Sequence, residues 1–174
     1  VSEPGGGAGG GRAETAVAIL DAARARLAHA PSEALGELVV PRQVFGMGRS
    51  PRIVRRSSAW HLGVLLLTDD GVLATGEIVR ARTEVRRGFT AESQRRRAEL
   101  AAAARRGGIA EGEPVHIGWE RLDPAAVDRG AASGPLALRD GVPSVRWSAS
   151  GGYVPLRAYL DERVELLLHP PAGA

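Results

Sequence analysis

Between Trp60 and Arg82 two apolar runs are interrupted only by Thr68-Asp69-Asp70-Gly71. An Asp-Gly pair between apolar runs favours a tight reversal, because both residues tolerate the left-handed backbone that a short hairpin needs. The flanking strands must then pair antiparallel. Ile53 to Arg56, Trp60 to Leu67 and Val72 to Arg82 therefore predict a three-stranded meander over residues 53–82. On the middle run Trp60, Leu62, Val64 and Leu66 face one way, and His61, Gly63, Leu65 and Leu67 the other. Apolar residues on both sides predict a strand covered on two faces.

Helical spacing frames this meander. Val17, Leu20, Ala23 or Arg24, and Leu27 recur at intervals of three and four within 13–29, and Pro31 stops that helix. Ser32 is a candidate cap for a short helical turn over 32–38. A second helix is expected from Thr90 to Arg106, with Arg105 and Arg106 at its negative end and Gly107 as its stop. Val115, Ile117 and Trp119 alternate as a strand would, and Asp123-Pro124 is a helix start. Leu136–Leu138 and Val142–Ser148 form a second expected hairpin around Arg139-Asp140-Gly141. Pro155 opens a last helix to Leu168, with Leu156, Tyr159, Leu160, Val164, Leu167 and Leu168 on one stripe. The fold class expected is α+β: a largely antiparallel sheet, the meander plus later strands, with helices packed on it. Residues 13–171 are expected to form one domain. The glycine-rich residues 1–12 are expected to form a disordered tail.

Absent residue types narrow the chemistry. The chain has no cysteine and no lysine, and all 23 of its basic residues are arginine. Disulfides, thiolate nucleophiles and cysteine-ligated metals are excluded. So are Schiff-base lysines, the Walker A loop, the protein-kinase core and the serine–lysine pair, because arginine stays protonated. Asparagine is missing as well. Lysine and asparagine have A-rich codons, so a GC-rich, actinobacterial genome is expected, and Val1 is read as a translated GTG start. No apolar run reaches the roughly 20 residues of a membrane helix. With no leader pattern visible, a cytoplasmic location is expected.

Four histidines remain, His29, His61, His116 and His169, none at helical ligand spacing from another. His61, in mid-strand, and His116 are the candidates for acid–base work, and Glu77 on the neighbouring strand is the carboxylate expected to serve His61. Asp69-Asp70, Glu111 with Glu113, and Asp161-Glu162 lack the context of a metal loop, so neither a metal nor a cofactor is expected. No GxSxG elbow occurs.

Charge is distributed unevenly. Residues 42–106 hold 14 arginines against 6 acids, a net of +8, whereas the rest holds 9 against 14, a net of −5. Arg86, Arg87, Arg95, Arg96, Arg97, Arg105 and Arg106 lie in or beside the second helix and form the candidate anion-binding surface. The partner expected there is an acidic protein or a nucleic acid.

Four segments, ALGEL at 34–38, AWHLGVLLL at 59–67, GFTAES at 88–93 and DERVELLLHPP at 161–171, resemble a group of small actinobacterial proteins of unknown function, some of which carry a glutaminase label. The label implies an amide hydrolase. Serine-dependent glutaminases use a serine–lysine pair and the amidotransferases a cysteine, so the resemblance transfers no catalytic residue. With its imidazoles dispersed in sequence, the chain is expected to bind a partner through its arginines rather than transform a substrate. The alternative is a small-molecule amide hydrolase, for which His61 or His116 must meet an acid and an arginine in one crevice. A third expectation is self-assembly through the apolar helix at 155–168.

Overall fold

The computed structural model describes residues 14–41, 50–83, 91–148 and 150–171. The glycine-rich tail, Arg86 and Arg87 lie outside them. The expected α+β class is observed: four helices accompany a mostly antiparallel seven-stranded sheet and a three-stranded one. In chain order the elements are α1 (Ala16–Leu27), β1 (Glu33–Val39), β2 (Arg52–Leu62), β3 (Leu65–Leu67), β4 (Val72–Ala74), β5 (Glu77–Arg80) and α2 (Glu92–Arg106). They continue with β6 (Pro114–Ile117), β7 (Glu120–Arg121), α3 (Pro124–Asp128), β8 (Leu136–Arg139), β9 (Val142–Arg146), β10 (Tyr153–Pro155) and α4 (Leu156–Leu168).

The larger sheet has the order β5-β6-β1-β2-β3-β4-β7. β6 and β7 are thus five strand spacings apart in the row, which is about 24 Å on a flat sheet. Yet only Gly118 and Trp119 separate them in sequence, a span of at most about 11 Å. The sheet must therefore curl until its two ends meet. β4 and β5, separated by Thr75-Gly76, lie along β7 and β6 as one interrupted pair of strands. Gly76 is required at that break, because a Cβ there would sit 2.3 Å from the Ile117 carbonyl oxygen. The result is a small barrel-like sheet of five interrupted strands. Its closing contact, β1 with β6, is parallel.

Helices cover the outer face. α2 seals Ala34, Ile53, Val79, Val115 and Ile117 with Leu100, Ala103 and Ala104. α1 and α4 bury Trp60, Leu62, Leu65 and Leu67. The inner face is filled by the strands themselves, with Leu35, Ala59, Leu66 and Leu73 buried against Trp119. At about 25 cal/mol per Å² of apolar surface removed from water, both faces contribute to stability.

Three local expectations are corrected. The segment 32–38 is strand rather than a helical turn; its residues Ala34 and Leu35 are both buried, one on each face of the sheet, and two neighbouring strands override the Ser32 cap signal. The run Trp60–Leu67 is not one strand. Gly63 (φ +69°) and Val64 turn the chain back, so that Leu62 pairs with Leu65. Conversely, Ser57 and Ser58, expected as a break, lie within β2. The meander survives as β2, β3 and β4 with its breakpoint moved.

Other local signals hold. Asp123 caps α3 by accepting from the Ala126 amide, and Asp140 and Gly141 both adopt positive φ in the β8–β9 hairpin. Leu156, Tyr159, Leu160 and Val164 of α4 are buried within the chain's own core. Self-assembly through this helix is left with Leu166 as its exposed large apolar residue. No helix among the described residues is long and apolar enough to cross a membrane.

Candidate functional site

Curling the sheet brings three remote residues to one rim of its inner face. Glu33 opens β1, opposite Ala59 of β2, so His61 lies diagonally across from it on the same face. On the other side Leu35 is in register with His116 of β6, which places His116 next to Glu33 as well. The carboxylate is thus flanked by an imidazole from each neighbouring strand. Glu33 Oε2 lies 2.5 Å from His116 Nε2 and 3.9 Å from His61 Nδ1. The two rings meet edge to face with centroids 4.8 Å apart.

Burial grades across the trio. His116 is fully buried, whereas Glu33 and His61 are partly exposed at the rim. His61 Nε2 lies 3.0 Å from the Gly63 carbonyl, which can only accept. Nε2 therefore carries the ring proton and Nδ1 presents a bare lone pair towards Glu33. The turn that supplies this carbonyl is clamped from α4: the Tyr159 hydroxyl donates to Leu62 O and accepts from the Val64 amide, both at 2.9 Å.

Electrostatics follow from these contacts. The hydrogen bond with His116 holds the Glu33 carboxyl below its usual range, against the opposing effect of burial, with His61 and Arg80 adding attraction. His61 is held below its ordinary value of 6.5 mainly by desolvation and then by repulsion from His116, with Arg163 adding a little. Both effects favour the uncharged ring.

Two buried side-chain nitrogens have no hydrogen-bond partner among the described residues, His116 Nδ1 and Arg163 Nε. Both belong to this neighbourhood. Arg163 lies over the Tyr159 ring, and its Nε is 3.5 Å from where a Cβ on Gly63 would be. Buried polar groups are normally paired, so both nitrogens depart from the usual pattern.

The sequence identified His61 and His116 but paired His61 with the wrong acid. Glu77 instead binds Arg96, at 2.9 Å. Its strand runs beside β6 rather than β2, so it never approaches His61. Glu33 was missed because segment 32–38 was read as helical. The available signal was the alternation Glu33, Leu35, Glu37 against Ala34, Gly36, Leu38, which suits a strand.

The arginines behave differently. Arg96 is taken by Glu77, Arg105 by Glu111 and the Ile109 carbonyl, and Arg106 by the Pro51 carbonyl. Arg95 lies 3.9 Å from both Glu92 and Glu99. Neighbouring Arg55 and Arg56 pair with Glu113 and Glu37. Among the described residues of the candidate surface, Arg97 has neither an ion pair nor a hydrogen bond from its side chain. Compared with known proteins, the chain matches no family model, no curated protein and no solved structure.

Proposed function

We propose that this protein is a hydrolase of small amides, acting at the rim formed by Glu33, His61 and His116. The observation that supports this reading is the convergence of two imidazoles and one carboxylate on a curled sheet, with the buried, unpartnered Arg163 Nε of α4 near the turn at Gly63. The mouth of such a sheet is a common ligand site. His61 takes a proton from water through Nδ1, its tautomer fixed by Gly63. The water oxygen attacks the amide carbon, the C–N bond breaks, and the proton passes from His61 to the departing amine. Arg163 offers a hydrogen bond to the oxyanion.

Ammonia release from glutamine and a panel of small amides tests the proposal. Turnover abolished by His61→Ala is expected. No turnover by the unaltered protein, or turnover indifferent to His61→Ala, overturns it. We propose with it a cytoplasmic location and a relation to the resembling actinobacterial proteins.

A second reading, binding of an acidic protein or nucleic acid, is favoured by the charge excess of residues 42–106 and by unpaired Arg97. Polyanion affinity across a salt series decides it: no affinity at low salt removes it.

A further inference from the structure

We propose that Glu33, His61 and His116 hold one divalent first-row transition-metal ion, through a Glu33 carboxylate oxygen, His61 Nδ1 and His116 Nε2. The inference rests on the same cluster as the hydrolytic reading but changes one role: with the ion bound, His61 Nδ1 would be a ligand rather than the base, and the ion would activate the water in its place. Its test does not depend on turnover.

An ordinary ion pair does not account for the trio. With Nε2 donating to the Gly63 carbonyl, the His61 ring turns Nδ1 towards a carboxylate oxygen 3.9 Å away. Two acceptors facing each other repel, unless a cation lies between them. Glu33 has its hydrogen bond from His116 already, and His61 Nδ1, at 3.9 Å, stands beyond hydrogen-bond reach of it. His116, for its part, leaves Nδ1 buried and unpartnered, whereas a structural histidine normally uses both ring nitrogens. An ion bound at His116 Nε2 would take the place of the proton that now lies between this ring and Glu33. Three lone pairs then converge on one point.

The distances suit an ion of this size. Ligand atoms about 2.1 Å from a tetrahedral ion lie about 3.4 Å from each other. The separations of 2.5 and 3.9 Å bracket that value, and all three donor atoms lie within 4.8 Å of one another. Small side-chain rotations make the fit. The Gly63 carbonyl already provides the outer hydrogen bond that a ligating histidine uses. Two imidazoles and one carboxylate favour zinc or iron(II) over magnesium and calcium, which select oxygen. Three protein ligands at a partly exposed rim leave a position open for water, the pattern of catalytic rather than structural zinc.

Isothermal titration and equilibrium dialysis of the untagged full chain against zinc test this, with cobalt(II) as the spectroscopic probe and magnesium as the control. One zinc per chain is expected, with tetrahedral cobalt bands and no saturable magnesium binding. His61→Ala and Glu33→Gln should each weaken zinc by at least about 100-fold, while the joint change His29→Ala and His169→Ala leaves it unaltered. His61 is partly exposed, so its variant is expected to fold; circular dichroism checks this, and His61→Gln serves if it does not. Absence of stoichiometric zinc binding overturns the proposal, as does binding that survives both site variants or follows His29 and His169. Zinc bound without amide turnover leaves the metal site standing and removes the hydrolase. Chelator-resistant turnover in a protein that binds no zinc does the reverse.

Discussion

The α2 face and the rim of the curled sheet are both rich in polar side chains, but they end in opposite states. On α2 most charges have an opposite charge close by, as Arg96 has Glu77 of β5 and Arg105 has Glu111 in the turn after the helix. At the rim three side chains meet and still leave an imidazole nitrogen unshared and a lone pair facing a carboxylate. The density of charge in a sequence is therefore a poor guide to where unpaired polar groups end up in the fold. Unsatisfied hydrogen-bonding capacity in a buried position costs stability that a purely structural residue would not need to sacrifice.

The sharpest way to break this contrast is to truncate one side chain from each region. His116→Ala removes a fully buried ring and the partner of Glu33, and should lower unfolding stability by about 3 kcal/mol. Arg95→Gln, Arg96→Gln and Arg97→Gln, made singly, should each stay within about 0.5 kcal/mol, since exposed ion pairs contribute little. Urea denaturation measures all four. Comparable losses on α2 would show that its arginines form a network with more than surface value.

The turn beneath His61 gives the next largest effect. Gly63 has φ +69°, and a Cβ there would lie 2.2 Å from the Tyr159 hydroxyl oxygen. Gly63→Ala combines left-handed strain with displacement of that hydroxyl, so a loss of about 2 kcal/mol is expected. Tyr159→Phe keeps the ring and removes two hydrogen bonds; about 1 to 2 kcal/mol should follow. If either variant also disturbs His61, its imidazole resonances shift in NMR spectra while those of exposed His29 do not.

These residues also show how far the sequence could be read. Asp140-Gly141, Asp123-Pro124 and the α4 stripe were legible because each depends on neighbours within a few positions. Gly63 was overlooked inside an unbroken apolar run, where a single glycine is weak punctuation. Glu33 was invisible as a site residue for a different reason. Its hydrogen bond to His116 spans 83 residues and depends on a parallel pairing that follows only from closure of the sheet. Local propensity carries no record of such a contact, and Ser32 offered a competing helical signal. Proximity of Glu77 to His61 was inferred from chain neighbours, and the turn at Gly63 invalidates it by reversing the direction of the intervening strand.

The smallest expected effect concerns a carboxylate outside both regions, which tests whether hydrogen bonding alone lowers acidity as it does at the rim. Asp70 is fully exposed, yet its carboxyl is held below the ordinary 3.8, chiefly by the hydrogen bond from Thr68 and then by attraction to Arg121. That bond, at 2.9 Å, lies within the four-residue turn between β3 and β4. A lowered carboxyl stabilises the fold at every pH above its unfolded value, and that contribution disappears as pH falls through its folded value. Thr68→Val removes the donor and keeps the shape. The Asp70 titration, followed by carboxyl NMR, should then move up towards the ordinary value, and the onset of acid destabilisation should move up with it. Stability at neutral pH should lose only the small worth of one surface hydrogen bond. Glu33 should be unaffected, since its leading partner is His116 rather than a hydroxyl. If Asp70 does not respond while Arg121→Gln raises it, attraction rather than hydrogen bonding governs the exposed carboxylate, and its likeness to Glu33 fails.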